Sequence, residues 1–182
     1  LNSYKFKNLN MLIKNKHFFN SLISNVSSTL YFIKNKKYNS VIINYDENSK
    51  NLFNWYQQLI AESLGKDKQG ILPIISNMPK DNHSVMQLYL DGFKKNFFTF
   101  FFVNEKNPTK INTNFNDNKM SYLKNKNLNQ IKLSQKLATE NVFRKKNIPF
   151  RSFTILNRNE KTLGELFTFF ILETILIGKM LN

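Results

Sequence analysis

Between residues 9 and 34, apolar positions recur at helical spacing, with Leu12, Phe19, Leu22, Ile23 and Val26 on one face, and this period predicts a helix. The pattern then changes. "SVIINY" at 40–45 is a short β-branched run bounded by Asn39 and "DENSKN", which predicts a strand covered on both faces, as in a parallel sheet. Asn48 or Ser49 is placed to cap a helix running from about residue 50 to Ser63, with Gly65 supplying a left-handed exit. "ILPIIS" at 71–76 is a second apolar run, and Pro73 assigns it to a sheet edge or a strand start. Asp81 is placed to cap a helix from Asn82 to Leu90 that closes at Gly92. "FFTFFFV" at 97–103 is apolar on both faces and belongs at the centre of a sheet.

A polar stretch from Asn104 to about Lys132 is long for a loop in a compact domain. Residues 133–146 read as helix, "FRSFTIL" at 150–156 as strand, and Thr162 as the cap of a last helix. Strands alternating with helices define an α/β domain: doubly wound, mostly parallel, with helices on both faces. Residues 1–37 form a helical lead-in and 38–182 the α/β domain. Ligands of such sheets bind at the carboxyl ends of strands, where the loop from Asn77 to Asp81 should fall.

Composition narrows the chemistry. The 182 residues suit one domain with a core of its own, 41% of them hydrophobic and 18 of them phenylalanine. Cysteine is absent, which removes disulfides, thiolate nucleophiles and cysteine zinc sites. His17 and His83 are the only histidines and lie far apart, so no metal is expected, and no cofactor motif is present.

The net charge of +15 raises the question of nucleic acid or anionic lipid. The lysines are scattered among asparagines, as in "KINTNFNDNKMSYLKNKNLNQIK", and only Arg144, Arg151 and Arg158 offer bidentate phosphate contacts. Neither nucleic acid nor membrane is therefore expected as a partner. "LGELFTFFILETILIGKML" approaches the length of a membrane span, but Glu165 and Glu173 interrupt it, and an acid at bilayer depth costs roughly 2.5–3.5 kcal/mol. It reads as a buried helix. No signal peptide is evident, which fits a cytoplasmic protein. Leu1 and Asn182 both read as cut ends of something longer.

Gln58 and Glu62 stand four apart and share one helical face, with Asn54 a turn earlier and Leu52, Tyr56, Leu59 and Ile60 opposite. Alone, that stripe describes the solvated side of a surface helix. His83, two residues after Asp81, should lie in the first turn of its helix, where the dipole favours neutral imidazole. Ser63 and Ser84 lack a paired base and nucleophile-elbow glycines. A carboxylate with an imidazole suits proton transfer, the chemistry of an aldose–ketose isomerisation.

The order of these residues resembles a known family. "WYQQLIAESLGKDKQGILPIISNMPKDNHSVMQLYLDG" at 55–92 is similar to the second sugar-isomerase domain of glucose-6-phosphate isomerases. That family shows Gln-x-x-x-Glu-Ser-x-Gly-Lys, here Gln58, Glu62, Ser63, Gly65 and Lys66. A Gln-His-Ser/Ala turn follows, here Asn82-His83-Ser84, and then a Gln-Leu helix closing at glycine, here Gln87, Leu88 and Gly92. The similarity runs from about residue 38 onward, and its bacterial branch matches more closely.

The resemblance implies interconversion of glucose 6-phosphate and fructose 6-phosphate through an enediol, without metal or cofactor. It implies Glu62 as the acid–base between C1 and C2, Gln58 as a substrate contact, and His83 as the group that assists ring opening across a homodimer interface. Asn82 departs from the family glutamine. The family's phosphate-binding serine and threonine, its arginine and its later lysine have no counterpart in the chain, which implies little or no activity for these residues alone. A sugar-phosphate-binding module without catalysis is the alternative reading, and a basic nucleic-acid-binding domain is a second.

Overall fold

In the computed structural model, residues 11–66, 68–111, 122–123 and 126–181 are described. In chain order the elements are α1 (Lys16–Lys34), β1 (Asn39–Asn44), α2 (Lys50–Leu64), β2 (Leu72–Asn77), α3 (Met86–Asp91), β3 (Asn96–Val103), α4 (Leu128–Lys145), β4 (Phe150–Ile155) and α5 (Glu160–Leu181). The strands form one sheet in the order β2-β1-β3-β4. Every pairing is parallel, with Asn44 beside both Asn77 and Phe101, and Phe98 beside Phe150. The chain steps outward from β1 to β2, returns to β3 on the other side of β1, and steps outward again to β4, so the winding reverses between β1 and β3. This is the doubly wound α/β architecture that the alternating pattern predicts.

All eight residues of β3 are buried, which is why its phenylalanines need no polar alternation. Phe98, Phe100 and Phe102 pack with Val41, Ile43 and Phe143 of α4 on one face. Phe97, Phe101 and Val103 meet α1, α2 and α5 on the other, through residues that include Leu22, Phe53, Ile60 and Phe170. Phe143 stands edge-on to Phe98 and Phe100, with centroids 4.9 and 5.2 Å apart, a favoured aromatic geometry. β2 lies at an edge, where Pro73 leaves no ladder bond unmade.

The starts of α1, α4 and α5 depart from the sequence expectations, and the cause in these three is which side chain reaches a free N–H. Asn15 accepts from the N–H groups of His17 and Phe18, so α1 begins at Lys16 and a separate helical turn precedes it. Of its expected apolar face, Leu22 and Val26 are buried while Phe19 and Ile23 are exposed. Asn127 and Gln130 form a reciprocal capping box, which starts α4 at Leu128, five residues before the hydrophobic pattern does. Asn159, not Thr162, caps α5, its Oδ1 accepting from the Thr162 N–H at 2.9 Å. Ser49 precedes α2 but donates its hydroxyl to Asp46 instead of capping. Within the polar stretch 104–132, Lys110 pairs with Asn127 in an antiparallel bridge, and 112–121 and 124–125 lie outside the described residues.

Candidate functional site

The apolar side of α2 buries Leu52, Phe53, Tyr56, Ile60 and Leu64, which turns Asn54, Gln58 and Glu62 outward. The Gln58 amide donates to a Glu62 carboxylate oxygen at 2.9 Å. One residue before Gln58, the Gln57 amide donates to the Pro73 carbonyl at 3.0 Å and pins this turn to the edge strand β2. Gly65 does end α2, but at φ −80° and not in the left-handed region. Glycine is required there for space, since a Cβ would lie 2.5 Å from the Ala61 carbonyl oxygen.

His83 is not in the first turn of an α-helix. A short 3-10 turn over Lys80–Asn82 intervenes, and α3 begins only at Met86. Asp81 has a different task from the expected cap: its Oδ2 accepts from the Asn77 N–H at 2.7 Å and folds the loop back on the end of β2. Asn77 in turn accepts from the Asn44 amide at 3.3 Å, which fastens the loop to β1. His83 is left exposed at the tip. Beside it the Asn82 Oδ1 is buried with no partner among the described residues. Gln87 and Asp91 join at 2.9 Å on the exposed side of α3.

Topology sets the relation between the two expected catalytic groups. α2 begins beyond the carboxyl end of β1 and runs back, so Glu62, in its last turn, lies at the amino end of the sheet. The contact of Gly178, near the end of α5, with Leu64 fixes the same end. His83 follows β2 and lies at the carboxyl end. The six residues of β2 separate these ends by about 20 Å at ~3.3 Å per residue. Within one chain the structure does not bring Glu62 and His83 together.

At the carboxyl end, where the winding reverses between β1 and β3, the structure assembles a group that the sequence reading missed. Arg158 donates to Asp46 at 2.6 Å and to Glu105 at 2.7 Å, joining the segments that follow β1, β3 and β4. Asp46 is buried, and the Ser49 hydroxyl holds its second oxygen. Beside this triad is a largely apolar cavity of about 360 Å³, with Leu52, Phe101, Val103 and Ile155 in its wall and the first turn of α5 at its rim. A sequence signal existed: Asp46, Glu105 and Arg158 each fall two or three residues after an apolar strand ends.

Among the described residues, no cluster of three or more His, Asp or Glu side chains is arranged to hold a metal, and no helix is long and apolar enough to cross a membrane. Glu173, read from sequence as an interruption in an apolar helix, is buried against Arg151.

No protein-family model matches the chain. Glucose-6-phosphate isomerase of Methanocaldococcus jannaschii is 36% identical over 165 residues, covering 89% of this chain and 40% of that protein. The enzyme of that name from Mycoplasmopsis pulmonis is 32% identical over 179 residues, covering 97% of this chain and 42% of its own length. A crystal structure of a hypothetical protein from Thermus thermophilus superposes with a TM-score of 0.85 at 19% identity, over 96% of this chain and 43% of that one. A glucose-6-phosphate isomerase structure from Chlamydia trachomatis gives a TM-score of 0.61 at 16% identity, over 78% and 30%.

The protein is thus an α/β domain with the doubly wound parallel sheet shared by these structures. In sequence it is a relative of the glucose-6-phosphate isomerases. It spans about two fifths of the length of the curated relatives it matches.

Proposed function

We propose that the chain supplies part of the active site of an aldose–ketose isomerase that interconverts glucose 6-phosphate and fructose 6-phosphate, with 38–182 as a second sugar-isomerase domain. In this reading Glu62 carries the proton between C1 and C2 of an enediol, Gln58 orients the carboxylate and touches the sugar, and His83 serves ring opening. The sequence relatives named for that activity support it.

The observation that carries the site assignment is the separation of Glu62 and His83 at opposite ends of the sheet. Two groups about 20 Å apart do not act on one small sugar phosphate within a single chain. Each is exposed, however, and free to complete a site with another copy. The reading is therefore a homodimer in which His83 of one subunit enters the site of the other, and an isolated 182-residue chain with little or no turnover.

The test is subunit complementation in the intact protein that carries this segment. Glu62→Gln and His83→Ala are each expected to be inactive alone, and mixing the two is expected to restore activity, because one of the two sites in a mixed dimer is then whole. Failure of the mixture to recover activity, with dimers formed, would refute the shared site. Measurable turnover of fructose 6-phosphate by the isolated chain, abolished by Glu62→Gln, would refute its inactivity.

A further inference from the structure

The two edges of the sheet are finished differently. In a parallel ladder, alternate residues of a strand turn both backbone groups toward one neighbour. Leu72 and Met78 donate to Tyr38 and Asn44 on the β1 side, so Pro73, Ile75 and Asn77 are the β2 residues whose backbone points outward. That edge is closed. Pro73 has no N–H, its carbonyl accepts from Gln57 at 3.0 Å, and the Asn77 N–H donates to Asp81 at 2.7 Å.

At the other edge, Phe98 donates to Pro149 and Asn104 to Ile155, which turns the backbone of Phe150, Ser152 and Thr154 outward from β4. Among the described residues, none of these outward N–H or C=O groups has a partner. β4 contains no proline and no bulge, and its one charged side chain, Arg151, is bound by Glu173. An edge left in this state is a template for a further strand.

The helical layers also stop short here. On one face α5 packs between α2 and α1, which sets α1 over the β4 side. Phe18, Asn25 and Phe32, spaced seven apart, hold one flank of α1 to Phe169, Arg151 and Phe97. The opposite flank carries Phe19 and Ile23, 47% and 41% exposed. On the other face Arg144 of α4 lies over the Phe150 ring at 5.3 Å, and Leu137, two turns earlier on the same flank, is 50% exposed. A strand added beside β4 meets apolar side chains on both of its faces.

Charge and register select the occupant. The chain carries +15, yet at this edge Arg151 is paired with Glu173 and Arg144 with Glu140. An acidic partner finds both arginines occupied, and two copies are spared their repulsion. The edge is also complementary to itself. Paired antiparallel about a two-fold axis at Ser152, it sets Ser152 opposite Ser152 and Phe150 opposite Thr154, an aromatic against a β-branched residue. Every outward group of these three residues is then bonded. The flank of Phe19 and Ile23 turns toward its own copy, as an isologous interface requires. We propose that a second copy of this chain docks on β4 in this register and joins two four-stranded sheets into one. Glu62 and His83 flank β2, at the far edge, so the inference is independent of the isomerase reading and leaves the surfaces which that reading uses untouched.

The chain has no cysteine, so a single introduced thiol reports the register. Opposed residues of a bonded antiparallel pair lie ~5.5 Å apart at Cα, inside the span of about 4.4–6.8 Å that a disulfide bridges. Ser152→Cys is expected to give a covalent dimer on mild oxidation, read on a non-reducing gel. Thr154→Cys, also exposed, is expected to remain uncrosslinked, because its two copies stand about 14 Å apart along the strand. Ser152→Pro removes an N–H that the sheet itself does not use. It should halve the particle mass in sedimentation and leave the melting temperature near the parent's. Phe19→Asp should weaken association in the same way. Equal cross-linking of the two cysteine proteins would overturn the proposal, and that comparison decides the matter even if the proline variant does not fold. So would a particle mass that a folded Ser152→Pro protein leaves unchanged, the result expected if this edge stays bare or takes a strand from elsewhere in a longer protein.

Discussion

Arg151 of β4 and Glu173 of α5 form a two-armed ion pair beneath the helical layer, with Nη2 3.2 Å from Oε2 and Nη1 on the other oxygen. The same guanidinium donates to Thr99 of β3 at 2.9 Å and to Asn25 of α1 at 3.1 Å, so one side chain ties the sheet to two helices. The Glu173 side chain is 2% exposed. Glu173→Ala should therefore destabilise the protein by about 3 kcal/mol, because the guanidinium is left largely buried without its counter-charge. The double variant Arg151→Met, Glu173→Leu should recover most of that loss. Urea unfolding of the three proteins measures both effects, and a double variant no better than Glu173→Ala would contradict this account.

Tyr56 lies close to this pair, and its hydroxyl is pushed up to about 12, first by burial and then by the Glu173 charge. Its unfolded value is about 10. The folded state therefore holds a proton that the unfolded state releases between these values. The resulting stability is fully present below about pH 10 and disappears as pH rises to about 12, a change on the order of 2–3 kcal/mol. Burial raises Tyr45 and Tyr89 as well, and they add to the alkaline slope. The measurement is thus a difference: Tyr56→Phe should show a shallower fall in stability than the parent across that window.

Asn127 satisfies the Gln130 N–H at 2.9 Å, and Gln130 returns the bond to the Asn127 N–H at 3.0 Å. Asn127→Ala should cost about 1 kcal/mol and fray the first turn of α4. Amide exchange should accelerate at Leu128–Ile131 and remain slow around Phe143, which is anchored in the core.

Glu62 is exposed, and its one hydrogen bond among the described residues comes from Gln58, one turn away. Glu62→Gln in the intact protein should leave thermal stability within about 0.5 kcal/mol of the parent. If Glu62 is the proton carrier, kcat should fall about 10²- to 10⁴-fold. Gln58→Ala should cost far less and act mainly through KM. A Glu62→Gln protein with unchanged kcat would leave the stripe as no more than a solvated helix face.

The four strands and their central member were legible in the sequence, because apolar runs such as "FFTFFFV" admit no amphipathic arrangement and must be covered on both faces. Helix boundaries were less legible. Asn127 and Asn15 set the starts of α4 and α1 through hydrogen bonds of their own side chains, and hydrophobic periodicity carries no information about them. Asp81 shows the same limit: a residue suited to capping serves instead to fold a loop onto Asn77, since no helix begins within its reach. The polar stripe of α2 was readable from its spacing, whereas Asp46, Glu105 and Arg158, which meet across 112 residues, were not.

What the sequence by itself determined is local: which segments are strand or helix, which side of α2 faces water, and a family resemblance ordered along 55–92. The tertiary structure decided what lies beside what. A parallel sheet brings every strand in from one end and sends every strand out at the other. That geometry places Glu62 and His83, 21 positions apart in sequence, at opposite ends of the sheet. It also turns Glu173 from an interruption in an apolar helix into the counter-charge that Arg151 requires, because only folding carries β4 beneath α5.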